Sequence, residues 1–329
     1  MALRFDASFR NGSFSEMSAG HIALVGSTGT GKTRLAIRLA QKFADVELIS
    51  IDAMAVYIGF DIGAAKPLGA DRTDHVWHLL DLVLPEQEFS VAEFQKAFKE
   101  VILDIESREK RAILVGGTGL YHRAAIDDLQ LPSRYPNIVS GLEETWSKAG
   151  GPEELYALLC SLDAAAAEKI LPGNKRRIIR ALEVTMGAGR PFSSFGPGLE
   201  AYEQNNNIEL FGLYAERKEL YQRLERRLDD QLEAGFIDEV KELRKNRLIS
   251  KTALQAIGYK ELLEYLNGEI SLLEAKEKIL SRTRLYAKRQ ESWFRRDPRV
   301  RWLKGSEEEN FQTVYTYMES YKKVQHDGR

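Results

Sequence analysis

Residues 26–33 read Gly26-Ser27-Thr28-Gly29-Thr30-Gly31-Lys32-Thr33, a spacing suited to holding one anion on main-chain N–H groups. The glycines let consecutive amides turn toward a phosphate, a helix N-terminus behind them adds its dipole, and Lys32 supplies a point charge. The Thr33 hydroxyl suits Mg²⁺. An apolar run over 22–25 predicts a buried strand ahead of the motif, and Leu35, Leu39 and Phe43 recur at helical spacing behind it. Gly26 through Thr33 are therefore expected to bind a di- or triphosphate. Asp52 ends a β-rich run over 46–51, where a carboxylate facing a bound phosphate can take a proton from an attacking group. A third run, 112–115, ends in Gly116-Gly117-Thr118-Gly119-Leu120-Tyr121. Ligands of open parallel sheets collect outside the carboxyl ends of the strands, so the phosphate loop, Asp52 and Thr118 are expected to converge on one crevice.

The elements that must position these residues alternate strand and helix. Phe94, Phe98 and Ile102 share one face of a helix predicted over 89–105. Strand-like runs disappear over 127–206, resume at 208–214, and give way to helices that include 220–233 and 272–296. The expected fold class is α/β, a P-loop NTPase-like parallel sheet with a helical insertion domain. A disordered lead covers 1–20, the core 21–126 and 207–305, the insertion 127–206, and a polar tail 306–329 that frays or forms one weakly anchored helix.

With 43% apolar and 29% charged residues, the 329-residue chain has ordinary globular usage. Its one cysteine, Cys160, excludes an intrachain disulfide and a cysteine-held zinc, and reads as a small buried side chain. No apolar run is long enough for a membrane span, residues 1–20 lack a signal-peptide h-region, and a cytoplasmic location is expected. The net charge of −2 conceals two basic clusters. One holds Arg282, Arg284, Lys288, Arg289, Arg295, Arg296, Arg299 and Arg301, interleaved with Tyr286, Trp293 and Phe294. The other holds Lys175, Arg176, Arg177 and Arg180. Cations among aromatic rings suit phosphates and unstacked bases, so a local nucleic-acid surface is expected. Asp81 could pass for a Walker-B acid, while His75 and His78 are too few to define a metal site.

Several segments together resemble the tRNA dimethylallyltransferases, also called tRNA isopentenyltransferases. They are the phosphate loop, Asp52-Ala53-Met54-Ala55-Val56-Tyr57, Asp61-Ile62-Gly63-Ala64-Ala65-Lys66-Pro67, and the glycine-threonine turn. Arg177-Ile178-Ile179-Arg180-Ala181-Leu182-Glu183-Val184, Ala256-Ile257-Gly258-Tyr259-Lys260-Glu261, and Thr283-Arg284 through Ala287-Lys288-Arg289-Gln290 to Trp293-Phe294-Arg295 complete the set. The resemblance implies transfer of a dimethylallyl group from its diphosphate to the N6 amine of the adenosine just 3′ of the anticodon, with Mg²⁺ and release of pyrophosphate. It implies Asp52 as the base, Thr28 and Arg223 at the diphosphate, and Thr33 at the metal. Asp52, Ala53, Met54, Ala55 and Thr118 would meet the acceptor, and Arg176, Arg177, Ile178, Ile179, Arg180, Lys288 and Arg289 the rest of the tRNA. A monomer with tRNA and dimethylallyl diphosphate as its partners is implied. Ala53, Ala55, Ile58 and Ala64 stand where the family usually has Ser, Gln, Arg and Thr, and Trp77-His78 and Gly173-Asn174 depart likewise. Other readings are a small-molecule or nucleotide kinase, an isopentenyltransferase acting on free AMP or ADP, and an RNA-binding protein without activity.

Overall fold

The computed structural model describes residues 20–127, 129–196, 202, 208–246 and 249–327. The expected lead over 1–19 lies outside the described residues. The chain divides into two compact units, one from residues before 129 and after 202, the other Leu129–Tyr202.

In chain order the first unit begins with β1 (His21–Gly26), α1 (Lys32–Ala40), β2 (Val46–Ser50), α2 (Ala70–Thr73), β3 (Trp77–His78), α3 (Val91–Ser107), β4 (Arg111–Val115) and α4 (Gly119–Ile126). The second unit holds α5 (Pro136–Trp146), α6 (Gly151–Leu162), α7 (Ala164–Lys169) and α8 (Lys175–Ala188). The first then resumes with β5 (Ile208–Leu213), α9 (Arg217–Glu233), α10 (Phe236–Asn246), α11 (Tyr259–Leu266), α12 (Leu272–Phe294), β6 (Val300–Leu303) and α13 (Glu307–Asp327). The strands form one sheet, ordered β3-β2-β4-β1-β5-β6, with every pairing parallel.

β1, β2 and β4 are buried at every position, which is why they read as apolar runs rather than alternating ones. Successive side chains of β1 enter opposite layers. Ile22 and Leu24 pack with Leu35 and Leu39 of α1, and Ala23 and Val25 with the layer containing Phe94, Phe98 and Ile102 of α3. Ser90 and Glu93 form a reciprocal capping box that fixes where α3 begins.

The tail differs from expectation. Phe311, Val314 and Met318 of α13 are buried with Leu35 and Leu39, so the helix closes one face of the sheet. Their spacing is one apolar stripe, and each buried side chain contributes about 1.5–3 kcal/mol. β3 and β6 escaped the reading because two and four residues leave too little pattern.

The second unit packs Leu142, Leu155, Leu159, Ile178 and Leu182 into its own core. Asp163 caps α7 by accepting from Ala166 N–H at 3.1 Å, and Asn174 caps α8 by accepting from Arg177 N–H at 3.3 Å. Cys160 is exposed, against expectation. It lies one residue, or about 100° of helix, beyond the buried Leu159.

Candidate active site

The end of β1 bends into the phosphate loop at Gly26, whose φ is 130° and where a Cβ would meet the Leu213 carbonyl oxygen at 2.6 Å. Gly31, at φ 92°, precedes α1 and leaves the first turn without a side-chain cap. Those N–H groups are the donors that an anion takes up. Ser27 Oγ donates to Ala287 O at 2.8 Å and Thr30 Oγ1 to Ser27 O at 2.9 Å, bracing the loop. Lys32 is buried and donates from Nζ to Ser27 O at 2.6 Å. Burial, then the Arg227 guanidinium, push its pKa down to about 7, with Asp52 opposing them.

Asp52 follows β2. Its Oδ1 accepts from Met54 N–H at 2.8 Å and Ala55 N–H at 3.2 Å, which ties the next turn and leaves Oδ2 with no protein donor among the described residues. Thr118 Oγ1 accepts from Ala53 N–H at 3.3 Å, joining the glycine turn after β4 to the Asp52 segment. That turn requires glycine at position 116, where a Cβ would strike the Ile51 carbonyl. Tyr286 lies beside Asp52, Thr118 and Gln290, and burial first, then the Asp52 charge, push its hydroxyl up to about 12. Behind the turn, burial pushes His122 down to about 3, so this ring stays neutral and is a poor proton acceptor at neutral pH. The structure thus brings the phosphate loop, Asp52 and Thr118 together.

Arg223 is placed otherwise. Its half-exposed side chain lies 3.6 Å from Glu219, whereas Arg227, one turn further along α9, donates to Thr28 Oγ1 at 2.8 Å. Arg227 is therefore the guanidinium at the loop in this structure. Sequence reasoning missed it because Arg223, Arg226 and Arg227 share one helix, and only the packing of α9 selects among them.

The 61–67 segment acquires a clear support. Glu239 accepts the N–H groups of Asp61 at 3.0 Å, Ile62 at 2.7 Å and Gly63 at 3.1 Å, and the Tyr259 hydroxyl at 2.6 Å. Lys66 Nζ donates to Tyr57 O at 2.7 Å and to Asp61 and Asp81. Asp81 also pairs with Arg72 at 2.9 Å, so it serves this loop rather than a Walker-B role. In Glu239→Gln one acceptor oxygen becomes a donor facing donors. The expected cost is about 1–3 kcal/mol, read as a lower melting temperature by differential scanning fluorimetry. An unchanged melting temperature would rule out this support.

Five of the eight cations of the C-terminal cluster are paired within the protein. Arg282 pairs with Glu261, Arg284 with Glu225, Arg295 with Glu291, Arg299 with Asp127 and Asp297, and Arg301 with Glu209. Phe294 is core, and Trp293 packs where a Cβ on Gly119 would fall, so neither ring is a free stacking face. Lys288, Arg289 and Arg296 remain exposed. In the second unit Arg176 and Arg177 are exposed, whereas Arg180 donates to Pro132 O at 2.6 Å, Ser133 O at 3.2 Å and Glu183 at 2.8 Å. Ile178 and Ile179 are core residues there, and Ala55 is buried in the first unit, so their side chains offer no face to an RNA. Ala53 and Met54 are half-buried beside Asp52. His78 is bonded to Glu47 at 2.7 Å, and no cluster of three His, Cys, Asp or Glu side chains able to hold a metal occurs among the described residues.

A phosphate loop, a strand-end aspartate and a glycine-threonine turn at the carboxyl edge of an all-parallel sheet define a phosphate-binding α/β enzyme. The IPP transferase family model matches residues 55–297, and the chain belongs to that family. It is 43% identical over 284 residues to tRNA dimethylallyltransferase 2 of Geotalea daltonii, covering 86% of each chain. The full-length tRNA isopentenylpyrophosphate transferase of Bacillus halodurans superposes with a TM-score of 0.66 at 35% identity, over 93% of this chain and 98% of that one. A eukaryotic dimethylallyltransferase solved acting on tRNA gives 0.73 at 30% identity, over 86% and 73%. Among the described residues no helix is long and apolar enough to cross a membrane.

Proposed function

We propose that this protein transfers the dimethylallyl group of dimethylallyl diphosphate to the N6 amine of the adenosine 3′ of the anticodon in tRNA, releasing pyrophosphate. The observation that carries the reading is the linkage of the three parts: Arg227 bonded to Thr28, Thr118 bonded to Ala53, and Asp52 within the field of Lys32. The loop amides, Lys32 and Arg227 stabilise the charge that builds on the diphosphate as its carbon–oxygen bond breaks, which favours the transition state over the ground state. Asp52 takes the proton that the attacking amine gives up. Mg²⁺ fits this site, since the Thr33 hydroxyl is exposed on the first turn of α1 and this cation takes few side-chain oxygens alongside phosphates and waters. Bound there, it would neutralise diphosphate charge. The adenosine has to leave its stack to reach Asp52. The protein acts as a cytoplasmic monomer in this reading.

The direct test is transfer of a labelled dimethylallyl group to unmodified tRNA with Mg²⁺, with AMP and ATP in parallel. Label on tRNA alone supports the proposal, while label on AMP alone, or a phosphorylated product from ATP, overturns it. Arg176 and Arg177 are the exposed cations of α8. Replacing both by Ala should weaken tRNA binding and lower the slope of log Kd against log salt by up to about 2, read by filter binding. An unchanged slope would place the tRNA elsewhere.

A further inference from the structure

We infer that Gln290 is a positioning residue that sets the register between the diphosphate half and the acceptor half of the site. The inference rests on the prenyl-transfer reading above. Gln290 lies on α12 and is 5% exposed. Its Oε1 accepts from Thr28 N–H at 2.8 Å, and its Nε2 donates to Gly117 O at 2.9 Å. One planar amide thus holds the phosphate loop at one end and the glycine-threonine turn at the other. These loops follow β1 and β4, which pair directly in the sheet.

The rest of that helix face acts on the same two loops. Ala287, one turn earlier, accepts from Ser27 Oγ through its carbonyl, and Trp293, one turn later, fills the space beside Gly119. Gly117 is glycine for a related reason, because a Cβ there would collide with Gln290 Nε2 and lie 3.2 Å from Gly26 O. A continuous chain of bonds results: Arg227 to Thr28, Thr28 to Gln290, Gln290 to Gly117, and Thr118 to Ala53 beside Asp52. The two ends of this chain are the group that faces the leaving diphosphate and the group that takes the proton.

Such a tie matters most where two substrates must meet. A near-attack geometry tolerates little displacement, and a misplacement of about 1 Å can cost about 10²-fold in rate. Each half-site keeps its own binding groups without Gln290: Lys32, Arg227 and the loop amides on one side, Asp52 and Thr118 on the other. Loss of the tie should therefore appear in kcat rather than in the affinity for either substrate. The side chain must also be an amide, since it has to accept at one end and donate at the other. A glutamate placed there can do both only when protonated; as a carboxylate it sets an oxygen against the Gly117 carbonyl.

The test compares Gln290→Met and Gln290→Glu with the parent protein in steady-state prenyl transfer, with Kd values for inorganic pyrophosphate and tRNA measured separately. Gln290→Met should lower kcat about 10²-fold, with both Kd values within about threefold of the parent. Gln290→Glu should be impaired at pH 8, and its kcat relative to the parent should rise as pH falls to 6, a signature that lost packing does not produce. A parental kcat in Gln290→Met, or a loss matched by weaker pyrophosphate binding, would overturn the inference. If Gln290→Met does not fold, the pH dependence of Gln290→Glu decides, and a flat ratio overturns it. Absence of transfer by the parent protein would overturn the prenyl-transfer reading and this inference with it, whereas parental transfer with unaffected variants would overturn this inference alone.

Discussion

Asp52→Asn should lower turnover in dimethylallyl transfer about 10²- to 10⁴-fold, the range expected for losing a positioned general base, while tRNA affinity and melting temperature stay near those of the parent. Asparagine is the informative replacement because of what Asp52 does structurally. Its Oδ1 accepts two backbone N–H groups, from Met54 and Ala55, and the amide oxygen of asparagine can keep both. What asparagine lacks is a carboxylate oxygen able to take a proton. Asp52→Ala removes the turn contacts as well, so it should lose thermal stability in addition to turnover. Parental turnover in Asp52→Asn would show that the amine loses its proton to another group.

Lys32→Met should reduce both diphosphate affinity and kcat/KM by at least tenfold, since a hydrogen bond to a charged group contributes about 1.5–3 kcal/mol. The accompanying pH dependence is specific. Lys32 loses its proton near pH 7 in the unliganded protein, because burial and Arg227 disfavour the ammonium. A diphosphate bound there would favour the ammonium and raise that value, so binding would take up a proton above about pH 7. Pyrophosphate affinity contributed by this group is therefore full below pH 7 and falls as pH rises beyond it, by at most about tenfold per unit. Calorimetry in buffers of different ionisation enthalpy reads the net proton exchange, to which pyrophosphate's own ionisation also contributes, and the uptake due to Lys32 is the part lost in Lys32→Met. Stability of the unliganded protein runs the other way. Between about 7 and 10.5 the unfolded chain binds the proton that the folded one does not, so Lys32 makes folding more favourable as pH rises through that window. Lys32→Met should accordingly raise the melting temperature at pH 6 while disabling the site. A variant that binds pyrophosphate with the parental pH profile would remove Lys32 from the diphosphate site.

Local chemistry was legible in the residues wherever a short segment carries it whole. The phosphate loop, Asp52 and Thr118 each end a buried strand, and a parallel sheet brings such ends together whatever the intervening loops do. Side chains whose role depends on a distant partner were not legible. Glu239 reads as one acid of an amphipathic helix, yet its partners Asp61, Ile62 and Gly63 lie 176–178 residues away. The same distance effect hid the pairing of Arg284 with Glu225 and of Arg299 with Asp127, which takes these two cations of the basic cluster into ion pairs. Gln290 stood within a recognised stretch, but nothing in its neighbours says that its amide spans two loops. The choice of Arg227 over Arg223 required the phase of α9 against Thr28, which helical periodicity alone leaves open.

The helix that follows the phosphate loop is roofed by Phe311, Val314 and Met318. During synthesis, α1 and the strand faces beneath it are made before α13 and stay uncovered until that helix emerges, most of the described residues later. The pairing of β1 with β5 likewise waits for the second unit to be completed. Contacts this remote in sequence slow folding and leave apolar strands open to wrong partners in the interval. The phosphate loop and the helix that roofs its α1 are thus separated in the chain by most of the described residues. A nascent chain stalled before α13 would present Leu35 and Leu39 to water and to chaperones, with the phosphate loop and Asp52 already synthesised but the layer behind α1 unbuilt.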